Sequence, residues 1–203
     1  MSGLNLVVLA SGRGSNFKAI QDHIDRGDLA AKIQLVLSDH ADAPALDLAQ
    51  AAGIPQAALA AADYPDRVRF DLALLEKIKA VPCDLIVLAG YMRVLSQVFI
   101  KEAPAPIINI HPSLLPAFPG LHAQRQAVDY GVKVSGCTVH LVNDILDGGA
   151  IIAQRVVPVL PGDDEDRLAA RILAEEHRLY SEVIGKIANG QIKIKDQSVT
   201  ILD

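Results

Sequence analysis

Tryptophan is absent from this 203-residue sequence, and aromatic residues supply only 4% of it. A core without many large rings has to be filled by Ala, Val, Ile and Leu, and a 51% hydrophobic content rich in those residues suits buried parallel strands under helices. Cysteine is scarce too. Cys83 and Cys137 stand far apart, without C-x-x-C spacing or a surrounding histidine cluster, which argues against a zinc site or a dithiol redox centre and leaves both as reduced packing residues. No apolar stretch approaches the roughly 20 residues that a membrane-spanning helix needs. The apolar opening at 1–10 lacks a basic leader and runs into a glycine loop, so it reads as a first strand rather than a signal peptide. Positive charge is not in excess either: the net charge is −5 and no basic patch stands out. Neither nucleic acid nor membrane is therefore an expected partner, and a cytoplasmic protein is the expectation.

What is present is an alternation of apolar runs and amphipathic segments. Leu4 to Ala10, Ile33 to Leu37, Leu85 to Ala89 and Ile107 to Ile110 read as strands; Asn16 to Arg26, Pro44 to Ala52 and Asp66 to Lys79 read as helices between them. Such an order implies right-handed crossovers and an α/β, Rossmann-like fold. Its central sheet is largely parallel and flanked by helices, with ligands beyond the carboxyl ends of the strands. In the C-terminal half, Ala123 to Tyr130 reads as a helix. Ser135 to Val142 and Ile151 to Val157 read as an antiparallel pair, because the segment between them is short. Asp163 to Ile187 is the longest predicted helix, and a small hairpin around Asp196-Gln197-Ser198 closes the chain. With no linker or repeat in sight, 1–203 is expected to be one domain.

Between the first strand and first helix lies Ser11-Gly12-Arg13-Gly14-Ser15-Asn16. A glycine loop there exposes backbone N–H groups and the positive helix end to an anion. Gly12 and Gly14 match the start of G-x-G-x-x-G, and Asp39 falls where a ribose-binding acid is expected, but the third glycine position is Phe17. A bulky ring there opposes the close packing a dinucleotide site requires, so the monophosphate of a small substrate is the better reading; a plain tight turn is the structural alternative. The segment Ala89-Gly90-Tyr91-Met92-Arg93-Val94-Leu95 follows a central strand and could line a slot for a flat heteroaromatic ligand, or simply pack as a loop.

Asn109-Ile110-His111-Pro112 ends another strand. Alternation places Asn109 and His111 on one face. An amide N–H and an imidazole suit a carbonyl oxygen that becomes negative, whereas a polar pair closing a strand is the bland alternative. Asp147, in Asp144-Ile145-Leu146-Asp147-Gly148-Gly149, is a loop carboxylate able to orient the imidazole and stabilise its charged form if it approaches. His122 and His140 read as structural or peripheral. Glu175-Glu176-His177 reads as the charged face of a helix.

Taken in order, Gly12-Arg13-Gly14-Ser15-Asn16, Ala89-Gly90-Tyr91-Met92-Arg93, Asn109-Ile110-His111-Pro112-Ser113-Leu114-Leu115-Pro116 and Asp144-Ile145-Leu146-Asp147-Gly148-Gly149 resemble the phosphoribosylglycinamide formyltransferases of purine biosynthesis, over essentially the whole chain. The Asn-x-His and distal Asp pattern is shared across folate-dependent formyltransferases, and the glycine loop with Glu175-Glu176-His177 points to the glycinamide ribonucleotide group. The resemblance implies that Gly14, Ser15 and Asn16 hold the substrate phosphate and that Glu176 contacts the ribose hydroxyls. It implies that Arg67, Met92, Arg93, Val94, Leu95, Asn109, Asn143, Asp144, Ile145, Leu146 and Asp147 surround the cosubstrate 10-formyltetrahydrofolate. The N-terminal half would then bind phosphate and the C-terminal half folate, with the active site between. Catalysis falls to Asn109, His111 and Asp147, with no metal.

The reaction so implied is direct: the primary amine of glycinamide ribonucleotide attacks the formyl carbon, and Asn109 and His111 donate to the oxyanion. Using the same three residues, a related hydrolase would direct water at the formyl group, but such enzymes carry a further domain ahead of this one. Transfer to initiator methionyl-tRNA would call for an added C-terminal domain and basic surface. Neither is expected here. A nicotinamide-dependent dehydrogenase is the alternative from another class, weakened by Phe17. For the assembly, a monomer or a homodimer is expected.

Overall fold

The computed structural model describes residues 3–195 and 197–202. It divides into two compact units, Met1–Ile108 and Asn109–Asp203.

The first unit opens with β1 (Leu4–Leu9), α1 (Ser15–Asp25), β2 (Ala31–Ser38), α2 (Pro44–Ala51) and the short β3 (Gln56–Ala58). A 3-10 turn at Ala61–Asp63 leads to α3 (Arg67–Lys79), β4 (Leu85–Leu88), α4 (Gln97–Glu102) and the start of β5 (Ile107–His111). Strand β1 pairs in parallel with β2 on one side and β4 on the other, so that Val8 lies between Val36 and Val87. β3 extends the parallel set from β2. Leu6, Val7, Val8 and Leu9 are fully buried, as are Leu85, Ile86 and Val87. Burial on both faces of the pleat is what converts an unbroken apolar run into an interior parallel strand. The helices begin where local chemistry satisfies their first N–H groups: Asp66 accepts from the Arg69 N–H, Ser96 accepts from the Phe99 N–H, and Pro44 occupies the first turn of α2.

The second unit holds the end of β5, then α5 (Ala123–Tyr130), β6 (Val134–Leu141), β7 (Ile151–Pro158) and α6 (Glu165–Ala188). The pair β8 (Ile192–Lys195) and β9 (Ser198–Ile201) follows. β6 and β7 are antiparallel, with a register shift between Val139 and His140. α6 packs on β6 and β7 through Leu168, Ile172, Leu179, Val183 and Ile184, all buried. In the seven-stranded sheet the order is β3-β2-β1-β4-β5-β6-β7, and β8 and β9 form a separate antiparallel pair. The expected mostly parallel α/β architecture with antiparallel C-terminal strands is the one observed. Of the expected closing hairpin, Asp196 lies outside the described residues.

Neither β3, the 3-10 turn at Ala61–Asp63 nor α4 was anticipated. β3 is three residues of Gln and Ala without a β-branched side chain, and α4 is a six-residue helix fixed by its Ser96 cap. α6 begins at Glu165 rather than Asp163 because Asp164 is the cap, accepting from the Arg167 N–H, while Asp163 is engaged by Arg171.

Candidate active site

In the first unit the glycine loop is held by backbone geometry. Gly14 caps α1 with φ of 71°, and a Cβ added there would lie 2.7 Å from the Ala45 Cβ. Left-handed backbone and close approach of α2 both require glycine. The loop is fastened on its other side, where the Ser11 N–H donates to the Gly90 carbonyl at 3.0 Å and the Ser11 hydroxyl accepts from the Met92 N–H at 2.9 Å. Ser15 and Asn16 form the first turn of α1, the positive end of the helix dipole. Phe17 is 1% exposed and fills the space behind the loop. The glycine that a dinucleotide fingerprint needs at this point is replaced by a core residue.

The segment after β4 presents Met92 and Val94 to solvent and buries Leu95. Arg67 donates from its guanidinium to the Leu95 carbonyl, joining two residues that the resemblance assigned to one ligand. Arg93 stacks over the Phe70 ring, 4.7 Å from its centroid, which holds its stem against α3.

In the second unit β5 delivers Asn109 and His111, and β6 delivers His140. Asp147 arrives on the loop between β6 and β7. That loop is shaped by Asn143, whose side-chain carbonyl accepts from the Ile145 N–H at 3.0 Å and so bends the chain at its start. Asp147 itself has φ of 51°, a left-handed conformation that Asp and Asn tolerate better than most residues. Gly149 permits the return, because a Cβ there would lie 1.9 Å from the Leu141 carbonyl oxygen. Asp144, Ile145 and Leu146 are exposed.

The four side chains form a connected polar cluster. Asp147 Oδ2 accepts from the Gly120 N–H at 2.8 Å and lies 3.5 Å from His111 Nδ1; its Oδ1 lies 3.6 Å from His140 Nε2. His111 Nε2 is 2.9 Å from the Phe118 carbonyl oxygen. A carbonyl can only accept, so Nε2 carries a hydrogen while Nδ1 faces the carboxylate. Asn109 Nδ2 is 3.2 Å from His140 Nε2. The His111 and Asp147 side chains are nearly inaccessible, 6% and 8% exposed, so their contact lies largely removed from water. Among the described residues no group of three or more His, Cys, Asp or Glu side chains is arranged to hold a metal ion. No helix there is long and apolar enough to cross a membrane.

Glu176 is buried on α6. Its charge, with that of Glu175, adds to burial in pushing the Cys137 thiol up to about 12. His122 is exposed and faces Glu165 at 3.5 Å. The structure therefore gathers Asn109, His111 and Asp147 in one place, gathers Arg67 and Leu95 in another, and sets the glycine loop in the first unit. His140, read as structural or peripheral, is the residue that connects Asn109 to Asp147. Its position at the end of a strand opening into the Asp147 loop was the available signal.

Residues 4–184 match the formyl transferase family. The chain is 42% identical over 195 residues to the phosphoribosylglycinamide formyltransferase of Escherichia coli (strain K12), covering 96% of this chain and 92% of that one. It is 44% identical over 190 residues to the trifunctional purine biosynthetic protein adenosine-3 of Drosophila pseudoobscura pseudoobscura, a match that takes in 93% of this chain but 14% of that protein's length. Among solved structures, the crystal structure of glycinamide ribonucleotide transformylase 1 from Symbiobacterium toebii superposes with a TM-score of 0.95 at 48% identity, covering 100% of this chain and 95% of that one.

Proposed function

This chain belongs to the formyl transferase family, and on that premise we propose that it transfers the formyl group of 10-formyltetrahydrofolate to the primary amine of glycinamide ribonucleotide. The observation that carries the reading is the buried cluster in which Asp147 lies 3.5 Å from His111 and 3.6 Å from His140, with Asn109 3.2 Å from His140.

In the first unit Met92 and Val94, and in the second unit Ile145 and Leu146, are exposed apolar side chains of the kind that suits a flat ring system. The folate supplies a formyl carbon that gains a bond to the substrate nitrogen as its bond to N10 breaks. Asn109 donates its amide N–H to the formyl oxygen as that oxygen becomes negative. His111 Nε2–H exchanges the Phe118 carbonyl for the same oxygen, and Asp147, facing Nδ1, stabilises the positive charge that makes the ring a strong donor. Each such donor contributes about 3 kcal/mol of transition-state stabilisation. Asp147 also holds a water through which the proton lost by the amine reaches N10.

In this reading Gly14, Ser15 and Asn16 bind the ribonucleotide phosphate and Glu176 its ribose hydroxyls. For the folate, the first unit offers Arg67, Met92, Arg93, Val94 and Leu95, and the second unit offers Asn143, Asp144, Ile145, Leu146 and Asp147. Binding both reactants converts a bimolecular encounter into a positioned one. A cytoplasmic site of action fits a reaction between two soluble metabolites. Incubation with 10-formyltetrahydrofolate, with and without glycinamide ribonucleotide, tests the proposal: tetrahydrofolate release that requires the amine supports it, and release at the same rate without the amine would indicate hydrolysis instead.

A further inference from the structure

His140 is 2% exposed on β6, and both of its ring nitrogens are committed. Nδ1 lies 2.8 Å from the Leu141 carbonyl oxygen, an acceptor with nothing to donate, so Nδ1 carries a hydrogen. Burial is the largest influence on the ring and holds the imidazole below the usual histidine range; the nearby His111 acts in the same direction, while the Leu141 carbonyl and Asp147 act against it. With a hydrogen on Nδ1 held by the Leu141 carbonyl and burial disfavouring a second proton on the ring, Nε2 serves as an acceptor. That acceptor is 3.2 Å from Asn109 Nδ2.

An asparagine amide can turn over, exchanging its N–H₂ and its carbonyl in nearly the same volume. Here one of the two orientations is strongly disfavoured. Turned over, the Asn109 carbonyl oxygen would meet the Nε2 lone pair, on a ring whose Nε2 also faces Asp147 Oδ1 at 3.6 Å. With the amide nitrogen toward His140, one N–H is used and the second remains for another acceptor. The register shift between Val139 and His140 sits at this point of the β6 and β7 pair; such irregularities re-aim a side chain out of the ladder's regular repeat.

We propose that His140 is a positioning residue for formyl transfer: with its hydrogen on Nδ1 toward the Leu141 carbonyl and its Nε2 toward Asn109, it fixes the Asn109 amide so that an N–H, and not the carbonyl, is offered to the formyl oxygen. The inference rests on the reading of Asn109 as an oxyanion donor. It predicts a consequence that mere core packing does not. His140→Gln can retain the function, because a glutamine side-chain carbonyl can accept from Asn109 Nδ2, whereas His140→Leu fills similar space but cannot accept.

Two measurements test it. Long-range ¹H–¹⁵N correlation spectra of the histidine-labelled protein at neutral pH, with His140 assigned by the peaks lost in His140→Gln, should show the neutral ring with hydrogen on Nδ1. Hydrogen on Nε2, or a doubly protonated ring, would overturn the proposal whatever the variants do. In steady-state kinetics, His140→Leu should lose roughly a hundredfold or more in kcat with KM for both substrates little changed, and His140→Gln should recover most of that loss. If Asn109→Ala loses turnover but folded His140→Leu does not, the positioning role fails while the reading of Asn109 stands. If Asn109→Ala turns over normally, the reading of Asn109 itself is overturned and the role of His140 goes with it.

Discussion

Asp147 shares one carboxylate oxygen between two contacts: Oδ2 accepts from the Gly120 N–H at 2.8 Å and faces His111 Nδ1 at 3.5 Å. The backbone bond fixes where the carboxylate sits, and the histidine contact is where its charge acts. Asp147→Asn retains the shape and tolerates the φ of 51° while removing the charge. The expected outcome is a fall in kcat of roughly a hundredfold or more with near-normal folate affinity, read from steady-state kinetics and equilibrium titration. A variant with near-normal turnover would remove Asp147 from the mechanism.

Gly14→Ala addresses the phosphate loop. The new Cβ would lie 2.7 Å from that of Ala45 and the residue would be held at φ of 71°, a backbone strain of about 1–3 kcal/mol. Calorimetric titration should show that the unaltered protein binds the ribonucleotide much better than its dephosphorylated form and that the variant loses this preference. Equal binding of the two forms by the unaltered protein would mean that the loop is a plain turn.

Acid stability should follow Asp163. Two bonds from Arg171, at 2.7 and 3.0 Å, and the Leu160 N–H at 2.7 Å hold its carboxyl down at about 2, against an ordinary 3.8. A group lowered in the folded state adds stability above its unfolded value, and that contribution fades as pH falls from about 4 to about 2. Asp163→Asn should therefore be less stable than the parent near neutrality, and the gap in denaturant midpoint should narrow through that window. A gap independent of pH would show that the pair is not the cause.

The Cys137 thiol, fully buried on β6, should not react in the folded protein. Burial pushes Cys83 up to about 11 and Cys137 to about 12, leaving on the order of one Cys137 thiol in ten thousand ionised at pH 8. A disulfide reagent should modify Cys137 only as fast as the chain unfolds. Rapid stoichiometric modification of Cys137 under native conditions would contradict its placement.

Much of the architecture is legible because the buried residues of β1 and β4 lie in unbroken local runs: Leu6 to Leu9 and Leu85 to Val87 need no distant information to be read as interior strands. Legibility ended where a tertiary contact decided the outcome. Asp163 looks like the first residue of a helix until Arg171, eight positions on, claims its side chain. Gln56–Ala58 became a strand because β2 offered it an edge, not through any β-forming side chain of its own.

The candidate site divides in the same way. Asn109 and His111 can be placed on one face by counting along a strand, and Asp147 by the glycines that follow it. The Phe118 carbonyl on His111 Nε2 is a backbone group and has no signature among side chains. His140 is 31 positions from Asn109, and only the adjacency of β5 and β6 brings its acceptor to the amide.

The central claim is a transfer of formyl carbon from folate nitrogen to substrate nitrogen, and its most direct measurement follows that carbon. With 10-formyltetrahydrofolate labelled at the formyl carbon and enzyme in excess over a limiting amount of glycinamide ribonucleotide, mass spectrometry should find one label per ribonucleotide, carried as an N-formyl group. Asn109→Ala, His111→Ala and Asp147→Asn should each form that product far more slowly. Label appearing as free formate, with the ribonucleotide unchanged, would contradict the account.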